Sequence, residues 1–197
     1  MRCFEQDALR ALNDHKVIAF PTETVYGLGV FYDDYEAYLK LNEIKGRPED
    51  KPYTMMVYDP EEISKYAYIN PKYKKLIDRY MPGPLTILVK AKENVPDYVT
   101  HGTQIVGIRI PNHVQARTLL ISVQKPLLVP SANKSGEKPA VNSEEVRAIF
   151  GRDVWTIIPG KCEGGVPSTI VDLTGDEIKL IRKGPISLEE LNLLVEN

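Results

Sequence analysis

Short apolar segments of four to seven residues alternate along the chain with longer stretches of helical periodicity. The short segments are rich in β-branched residues and are flanked by glycine or proline, which favours strands at residues 17–20, 53–58, 85–91, 105–110, 127–129, 154–158, 169–173 and 178–181. The longer stretches predict helices at residues 5–15, 33–44, 60–66, 71–80, 112–123, 143–150 and 188–195. This order predicts an α/β (α+β type) fold: a single domain over residues 1–197 with one large, mixed, twisted β-sheet flanked by helices.

Prolines stand just beyond three predicted strands, at Pro21, Pro111 and Pro130. Proline cannot donate a hydrogen bond to a neighbouring strand, so each proline helps to end its strand. Polar residues lie beside these prolines, and ligands of open sheets usually bind at such strand ends. The pattern therefore places the following residues at the mouth of a binding site: Thr22, Glu23, Thr24, Arg109, Ser131, Ala132 and Asn133.

The stretch of residues 21–29 combines small hydroxyl side chains with two glycines, and we interpret it as a turn. A purely structural turn and a ligand-binding turn are both open, since Thr24 could bond a polar ligand and Gly27 and Gly29 permit close backbone approach. The stretch is not a dinucleotide-binding fingerprint, because Tyr32 occupies the third glycine position. The chain also lacks a phosphate-binding GxxxxGK[ST] loop, so any nucleotide binds without one.

Three cations, Lys45, Arg47 and Lys51, fall within seven residues on a segment that Gly46 and Pro48 keep irregular. A solvated charge run is the structural explanation. The functional one is a polyanion site, since arginine offers a bidentate fork and lysine a point charge for phosphate. Two or three protein cations with one Mg²⁺ would roughly balance the charge of about four on a nucleoside triphosphate.

Two further arginines stand at strand ends, Arg109 in an otherwise apolar segment and Arg182. A buried charge is costly unless it is paired, so Arg109 predicts either a salt bridge or a ligand carboxylate. Ser131 and Asn133 are common turn residues as well as candidate ligand contacts. A glycine-rich segment at residues 161–169 leads to Ser168 at the entrance of another strand.

Composition and charge limit the kinds of binding partner that we expect for this chain. The formal net charge of −2 argues against a surface that binds nucleic acid by bulk electrostatics. Cys3 and Cys162 match neither a disulfide framework nor a zinc spacing, so we expect a reduced, cytoplasmic setting. We also expect no membrane partner, since the chain shows no membrane-length apolar run and no signal peptide. The three histidines have no metal spacing, so no metal site is predicted within the protein.

A set of motifs, taken in their order along the chain, indicates a protein family. PTETVYGLG, KGRPEDK, MPGPLT, the strand ending in Arg109, PSAN, PSTIVDL and IRKGP resemble the YrdC family of threonylcarbamoyl-AMP synthases, in its short single-domain form, over roughly residues 15–186. The resemblance implies a YrdC-like fold with a positively charged cavity. It also implies a reaction in which L-threonine, bicarbonate or CO₂, and ATP with Mg²⁺ give threonylcarbamoyl-AMP and pyrophosphate. A tRNA threonylcarbamoyl transferase complex would then transfer the threonylcarbamoyl group to the adenosine next to the tRNA anticodon, and direct tRNA binding by this chain is a weaker expectation.

The resemblance also implies site residues. Those expected at threonine are Thr24, Arg109, Val129 and Ser168, with Arg109 on the substrate carboxylate. Those expected at ATP are Lys45, Arg47, Lys51, Ser131, Asn133, Ala140 and Arg182. Met56 departs from the pattern, because some relatives have a histidine there. No side chain is assigned as a general acid or base, since carbamate attack on the α-phosphate needs alignment and charge stabilisation rather than an enzyme nucleophile.

Two other functions stay open at this point. One is carbamoyl-adenylate synthesis from carbamoyl phosphate, as in the related module of hydrogenase-maturation proteins, although those chains are much longer. The other is a non-catalytic RNA-binding module that uses the same cationic cavity. The net charge and the lack of an aromatic and basic stacking surface disfavour the latter.

Overall fold

A computed structural model describes residues 4–46 and 52–196 of the chain. The strands are β1 (Ile18–Phe20), β2 (Gly27–Phe31), β3 (Thr54–Met56), β4 (Ala67–Tyr68), β5 (Leu85–Ala91), β6 (Ile105–Arg109), β7 (Leu127–Leu128), β8 (Thr156–Ile157), β9 (Thr169–Asp172) and β10 (Lys179–Arg182). The helices are α1 (Phe4–Asn13), α2 (Tyr35–Lys45), α3 (Pro60–Tyr66), α4 (Lys74–Tyr80), α5 (Asp97–Thr100), α6 (Val114–Val123), α7 (Ser143–Phe150) and α8 (Leu188–Glu196), with a 3₁₀ turn at Pro71–Tyr73.

These strands form one mixed sheet in the order β10-β9-β5-β6-β3-β7-β2-β1-β8, and β4 pairs with the far end of β5. The pairs β1–β8, β3–β6 and β5–β9 are parallel, and the other neighbours are antiparallel. The prediction of a large mixed sheet flanked by helices is therefore confirmed. Because β3 and β6 run parallel, Met56 and Arg109 end side by side at one edge.

The sheet separates two apolar layers, as the alternation of strand side chains requires. In β1 and the residue before it, Val17 and Ala19 belong to the larger core, whereas Ile18 and Phe20 face a smaller core beneath α1 and α6. Met55 and Met56 divide between the layers in the same way. The cavity described below lies on the side of the smaller core, where Met56 and Val129 are among its lining residues.

The interpretation of residues 21–29 as a turn is wrong for its second half, because Gly27–Phe31 is the buried strand β2. The sequence did not predict this strand because it contains two glycines, and glycine lowers strand propensity. They are needed here because neighbouring side chains lie where a Cβ would stand: Val129 Cγ1 would be 2.4 Å from a Cβ on Gly27, and Phe20 Cε1 would be 2.9 Å from one on Gly29. Tertiary packing therefore makes this segment a strand despite its low local strand propensity.

Helix ends differ from the predictions by small amounts. Helix α7 was predicted from residue 143, and Asn142 just before it is the N-cap, whose side chain accepts a hydrogen bond from the Glu145 amide. At the start of α8 the Ser187 amide donates to Glu190 Oε2 and the Glu190 amide donates to Ser187 Oγ, which forms a reciprocal cap. Helix α2 runs one residue further than expected, to Lys45, and stops where Gly46 adopts a left-handed φ of 56°. No helix among residues 4–46 and 52–196 is long and apolar enough to cross a membrane.

Candidate active site

A cavity of about 130 Å³ opens where the ends of several strands meet. Strand β3 contributes Thr54 and Met56, and the segment after β7 contributes Val129 and Ser131. The remaining polar lining comes from Thr22, Tyr53, Arg109, Ser168 and Arg182. The described lining residues include two guanidinium groups and several hydroxyls but no carboxylate, so the cavity is suited to an anionic ligand.

Arg109 is the buried cation of this cavity, with 5% of its surface exposed. Its Nη2 donates to Thr24 Oγ1 at 2.9 Å, and its Nε donates to the Gly83 carbonyl at 3.3 Å. The same Nη2 lies 2.8 Å from Glu23 Oε1, which makes an ion pair. The sequence left open whether Arg109 forms a salt bridge or binds a ligand carboxylate. Arg109 forms a salt bridge with Glu23 and also lines the cavity.

Glu23 lies behind Arg109 rather than in the cavity lining. Both of its carboxylate oxygens are buried and neither accepts an aligned hydrogen bond from a described residue, although Arg109 Nη2 is close. The loop that follows Lys161 covers this residue, since the Gly164 amide donates to the Glu23 carbonyl at 2.9 Å. A buried carboxylate held by one charge contact is costly in isolation, so the Arg109 cation is its main source of stabilisation.

Arg182 approaches the cavity from the edge strand β10. Its Nε and Nη2 donate to the Ser168 carbonyl at 3.0 and 2.9 Å, and Nη2 also donates to Ser168 Oγ at 3.0 Å. Ser168 Oγ lies 2.8 Å from the hydroxyl of the buried Thr86. Partial burial, and then the nearby Arg109 charge, lower the pKa of Arg182. An anion between the two guanidiniums would relieve this repulsion.

Lys45 connects the two polar stretches that the sequence singled out. It is 1% exposed, and its Nζ donates to the carbonyls of Ser131 and Asn133 at 2.6 and 2.8 Å. Nζ also lies 3.4 Å from Asn133 Oδ1. The end of α2 and the loop after β7 are therefore in direct contact. Lys45 orders this loop from behind, and it is absent from the cavity lining.

Asn133 and Ala140 also belong to the scaffold of this loop. Asn133 Oδ1 accepts from Ser131 Oγ at 2.5 Å, and Asn133 Nδ2 donates to the carbonyls of Lys134 and Glu137. The amide of Ala140 donates to the Ala132 carbonyl, and the Ala140 carbonyl accepts from the Tyr26 amide. Ser131 is therefore the polar side chain that this loop contributes to the cavity lining.

The structure thus brings most of the predicted site residues to one place but in two layers. Arg109, Val129, Ser131, Ser168 and Arg182 line the cavity. Thr24, Lys45, Asn133 and Ala140 support it from behind. Arg47 and Lys51, which were also predicted to contact ATP, lie outside the described residues.

The sequence placed Glu23 at the mouth of the site without identifying Arg109 as its partner, and it indicated no role for Thr86, although both residues are part of this arrangement. A signal for Glu23 was available: it is the only charged residue between Lys16 and Asp33, in a segment that supplies two buried strands. A lone acid in such a segment predicts a specific cationic partner. Thr86 carried no comparable signal, because threonine is common in strands.

Fold and cavity together define an α/β protein with a cationic, hydroxyl-lined site at the strand ends. A model of the Sua5/YciO/YrdC family, described as "Telomere recombination", matches residues 10–184. The chain belongs to this family. The resemblance noted in the sequence is therefore confirmed.

Relatives of both short and long form are similar to this chain. A threonylcarbamoyl-AMP synthase from Escherichia coli O1:K1 is 34% identical over 182 residues, which cover 90% of this chain and 94% of that protein. A threonylcarbamoyl-AMP synthase from Pyrococcus abyssi is 36% identical over 186 residues, which cover 93% of this chain. The chain spans about half the length of the P. abyssi protein, of which 55% is matched.

Solved structures agree with the fold. The crystal structure of P. abyssi Sua5 in complex with L-threonine superposes with a TM-score of 0.91 at 35% identity, covering 97% of this chain and 56% of that one. E. coli YciO superposes with a TM-score of 0.87 at 26% identity, covering 95% of this chain and 92% of that one. The sheet and helices described above are therefore those of the family.

Proposed function

We propose that this chain is an L-threonylcarbamoyladenylate synthase, a nucleotidyltransferase that converts L-threonine, bicarbonate or CO₂, and ATP into threonylcarbamoyl-AMP and pyrophosphate. One observation supports it above the others: two guanidinium groups, Arg109 and Arg182, converge on a cavity whose described lining holds hydroxyls and no carboxylate. Both the amino-acid carboxylate and the triphosphate are anions. The names of the relatives point to the same reaction.

In this proposal the buried half of the cavity holds threonine. Arg109 binds the substrate carboxylate, because its Nη1 makes no hydrogen bond with the described residues while Nε and Nη2 are held by the protein. Ser168 and the Val129 backbone border the substrate, and Thr24 acts by orienting Arg109. Met56 lies in the wall where some relatives have a histidine, so this wall offers a thioether rather than a hydrogen bond.

The outer half receives the phosphate end of ATP, and the rest of the nucleotide extends beyond this small cavity. Arg182 and Ser131 face it directly, while Lys45, Asn133 and Ala140 keep the Ser131 loop in place. Arg47 and Lys51 complete the phosphate contacts in the proposal. Magnesium enters as MgATP: no group of three or more candidate metal-binding side chains exists within residues 4–46 and 52–196, so the phosphate oxygens would carry most of its coordination.

The chemistry requires alignment more than acid or base groups. The threonine amine and CO₂ form a carbamate, and a carbamate oxygen bonds to the α-phosphorus of ATP while the bond to the bridging oxygen breaks and pyrophosphate leaves. The guanidiniums stabilise charge that builds on the phosphoryl oxygens, and the bound substrates displace water from the cavity, which limits loss of the carbamate as CO₂. No side chain is assigned to proton transfer.

Four further points belong to the proposal. The product is handed to a tRNA threonylcarbamoyl transferase complex, which modifies the adenosine next to the anticodon. Bicarbonate or CO₂ is the carbon source, and any direct contact with tRNA is secondary. The location is the cytoplasm, where ATP, threonine and tRNA are all available.

A pyrophosphate-release assay tests the function. The purified chain with MgATP, bicarbonate and L-threonine should release pyrophosphate, and omission of threonine should abolish the release. Release that is equal without threonine, or no release, would refute the proposal. Carbamoyl phosphate in place of threonine and bicarbonate tests the first alternative, and salt-sensitive RNA binding without turnover would favour the second.

Variants at the two guanidiniums test the division of the cavity. Arg109→Lys should raise the KM for threonine more than the KM for ATP, and Arg182→Gln should do the reverse. The loss of one charge-assisted contact corresponds to about tenfold to a hundredfold. Equal changes in both KM values for both variants would refute the assignment of substrates to the two halves.

A further inference from the structure

Glu23 presents an unusual situation for a carboxylate. Each oxygen is sealed from solvent, and neither has an aligned hydrogen-bond donor among the described residues. Buried carboxylates normally accept several hydrogen bonds, because burial removes the water that would otherwise solvate the charge. The only cation within ion-pair distance in the described parts of the chain is Arg109, with Nη2 at 2.8 Å from Oε1.

The partners of Arg109 show what this contact accomplishes. Thr24 Oγ1 and the Gly83 carbonyl accept from Nη2 and Nε, which sets the direction of the guanidinium plane, but both are neutral. Glu23 is the charged partner. Without it Arg109 would face Arg182 across the cavity with no counter-charge nearby, and repulsion would favour a turn of the guanidinium away from Arg182.

The glycine-rich loop closes over this pair. The amides of Gly164 and Gly165 donate to the carbonyls of Glu23 and Thr24 at 2.9 and 2.8 Å. The approach is so close that a Cβ on Gly164 would stand 2.9 Å from the Glu23 carbonyl oxygen. The loop thereby packs on the backbone of the segment that carries Glu23. Both carboxylate oxygens of Glu23 are buried, and a charge pair attracts more strongly where water is excluded.

We infer that Glu23 is the positioning residue for Arg109, and that its covered carboxylate holds the guanidinium with Nη1 directed to the carboxylate of the bound amino acid. The identity of that ligand rests on the proposed function. Glu23 does not line the cavity, so it acts through Arg109 and is not a catalytic residue. The proposed site therefore has three successive groups: the substrate carboxylate contacts Arg109, and Arg109 contacts Glu23.

Guanidinium NMR of the full-length protein without substrate tests the positioning directly. The Nε–H signal of Arg109, assigned by its loss in Arg109→Lys, should exchange slowly with solvent in the wild type, since Nε donates to Gly83 within the buried site. In Glu23→Gln this exchange should accelerate about tenfold or more. Glu62→Gln is the matched control, because Glu62 is also a buried, ion-paired carboxylate but lies on α3 and pairs with Lys65.

An unchanged Arg109 signal in folded Glu23→Gln would overturn the inference. Should Glu23→Gln fail to fold, Glu23→Asp keeps the charge and shortens the reach, and the same acceleration to a smaller degree is expected, with no change again overturning it. Kinetics provide a second readout: in Glu23→Gln the KM for threonine should rise about tenfold to a hundredfold, with kcat and the KM for ATP within about twofold. An equal loss for both substrates would indicate general damage to the fold and overturn the inference. Because the NMR experiment uses no substrate, failure of the synthase assignment and failure of the positioning role remain distinguishable.

Discussion

Two buried cations of this protein, Lys45 and Arg109, serve different ends. Lys45 directs its ammonium at the backbone oxygens of Ser131 and Asn133 and stays behind the cavity wall. Arg109 is paired with a carboxylate through one edge of its guanidinium and lines the cavity. The difference teaches that burial of a cation alone does not mark a ligand contact. The contacts of the two cations distinguish them. An ammonium that donates to loop carbonyls orders the loop, whereas a guanidinium that is paired through one edge can still donate to a ligand.

The largest effect should come from breaking the Arg109 pair. Arg109→Met leaves the Glu23 carboxylate buried without its cation, and removal of one partner of a buried pair costs about 3–5 kcal/mol. We expect urea denaturation at pH 7 to show a loss of this size in the free energy of unfolding. The double variant Glu23→Gln with Arg109→Met should recover part of it, and strictly additive losses would show that the two residues do not interact.

Removal of the Lys45 ammonium should have the next largest effect. Lys45→Met removes the ammonium donor from the buried Asn133 carbonyl and from the Ser131 carbonyl, which keeps the Asn133 amide at 3.0 Å, so we predict a loss of about 2–3 kcal/mol in the free energy of unfolding. Lys40→Met is the control, because Lys40 belongs to the same helix and pairs with Glu36 at the surface, where such a pair contributes little to stability. Similar losses in the two variants would contradict the role of Lys45 as the support of the Ser131 loop.

Gly27→Ala should have a smaller effect with a direct link to the site. A Cβ there would stand 2.4 Å from Val129 Cγ1, so Val129 must move in the cavity wall. We expect a loss of about 1–2 kcal/mol by thermal unfolding, as in overpacked cores, together with weaker threonine binding. Gly175→Ala is the control, since a Cβ at Gly175 meets no atom within 4 Å. Equal stability of the two variants would exclude the predicted clash.

The smallest effect concerns the Cys162 thiol, which reports the charge of Glu23. Burial, and to a lesser degree the negative charge of Glu23, raise the pKa of Cys162 to about 11, while the Thr22 backbone opposes the shift. In a Cys3→Ser background, alkylation by iodoacetamide at pH 8 should therefore be slow, because the thiolate reacts and the thiol does not. Glu23→Gln should accelerate it modestly, and a slower reaction would argue against a charged Glu23 beside the thiol.

Much of this arrangement was predictable from the chain alone. The alternating apolar pattern predicted most strands and helices, and the prolines after Phe20 and Val129 correctly placed polar residues at strand ends. Arg109 was recognisable as a candidate site residue because it is the single charge in an apolar strand. Strand β2 was missed because Gly27 and Gly29 have low strand propensity, and only their close contacts with Val129 and Phe20 explain them.

The sequence by itself determined the family, the mixed sheet, and the residue types that gather at the strand ends, because periodicity and ordered motifs are local properties of the chain. Tertiary structure alone decided which of those residues face the cavity and which support it. Lys45 and Ser131 are 86 residues apart, and Arg109 and Glu23 also come from distant segments. Whether a buried charge meets a carbonyl, a carboxylate or open space depends on such long-range neighbours, and electrostatic energy in a low-dielectric interior depends on those distances.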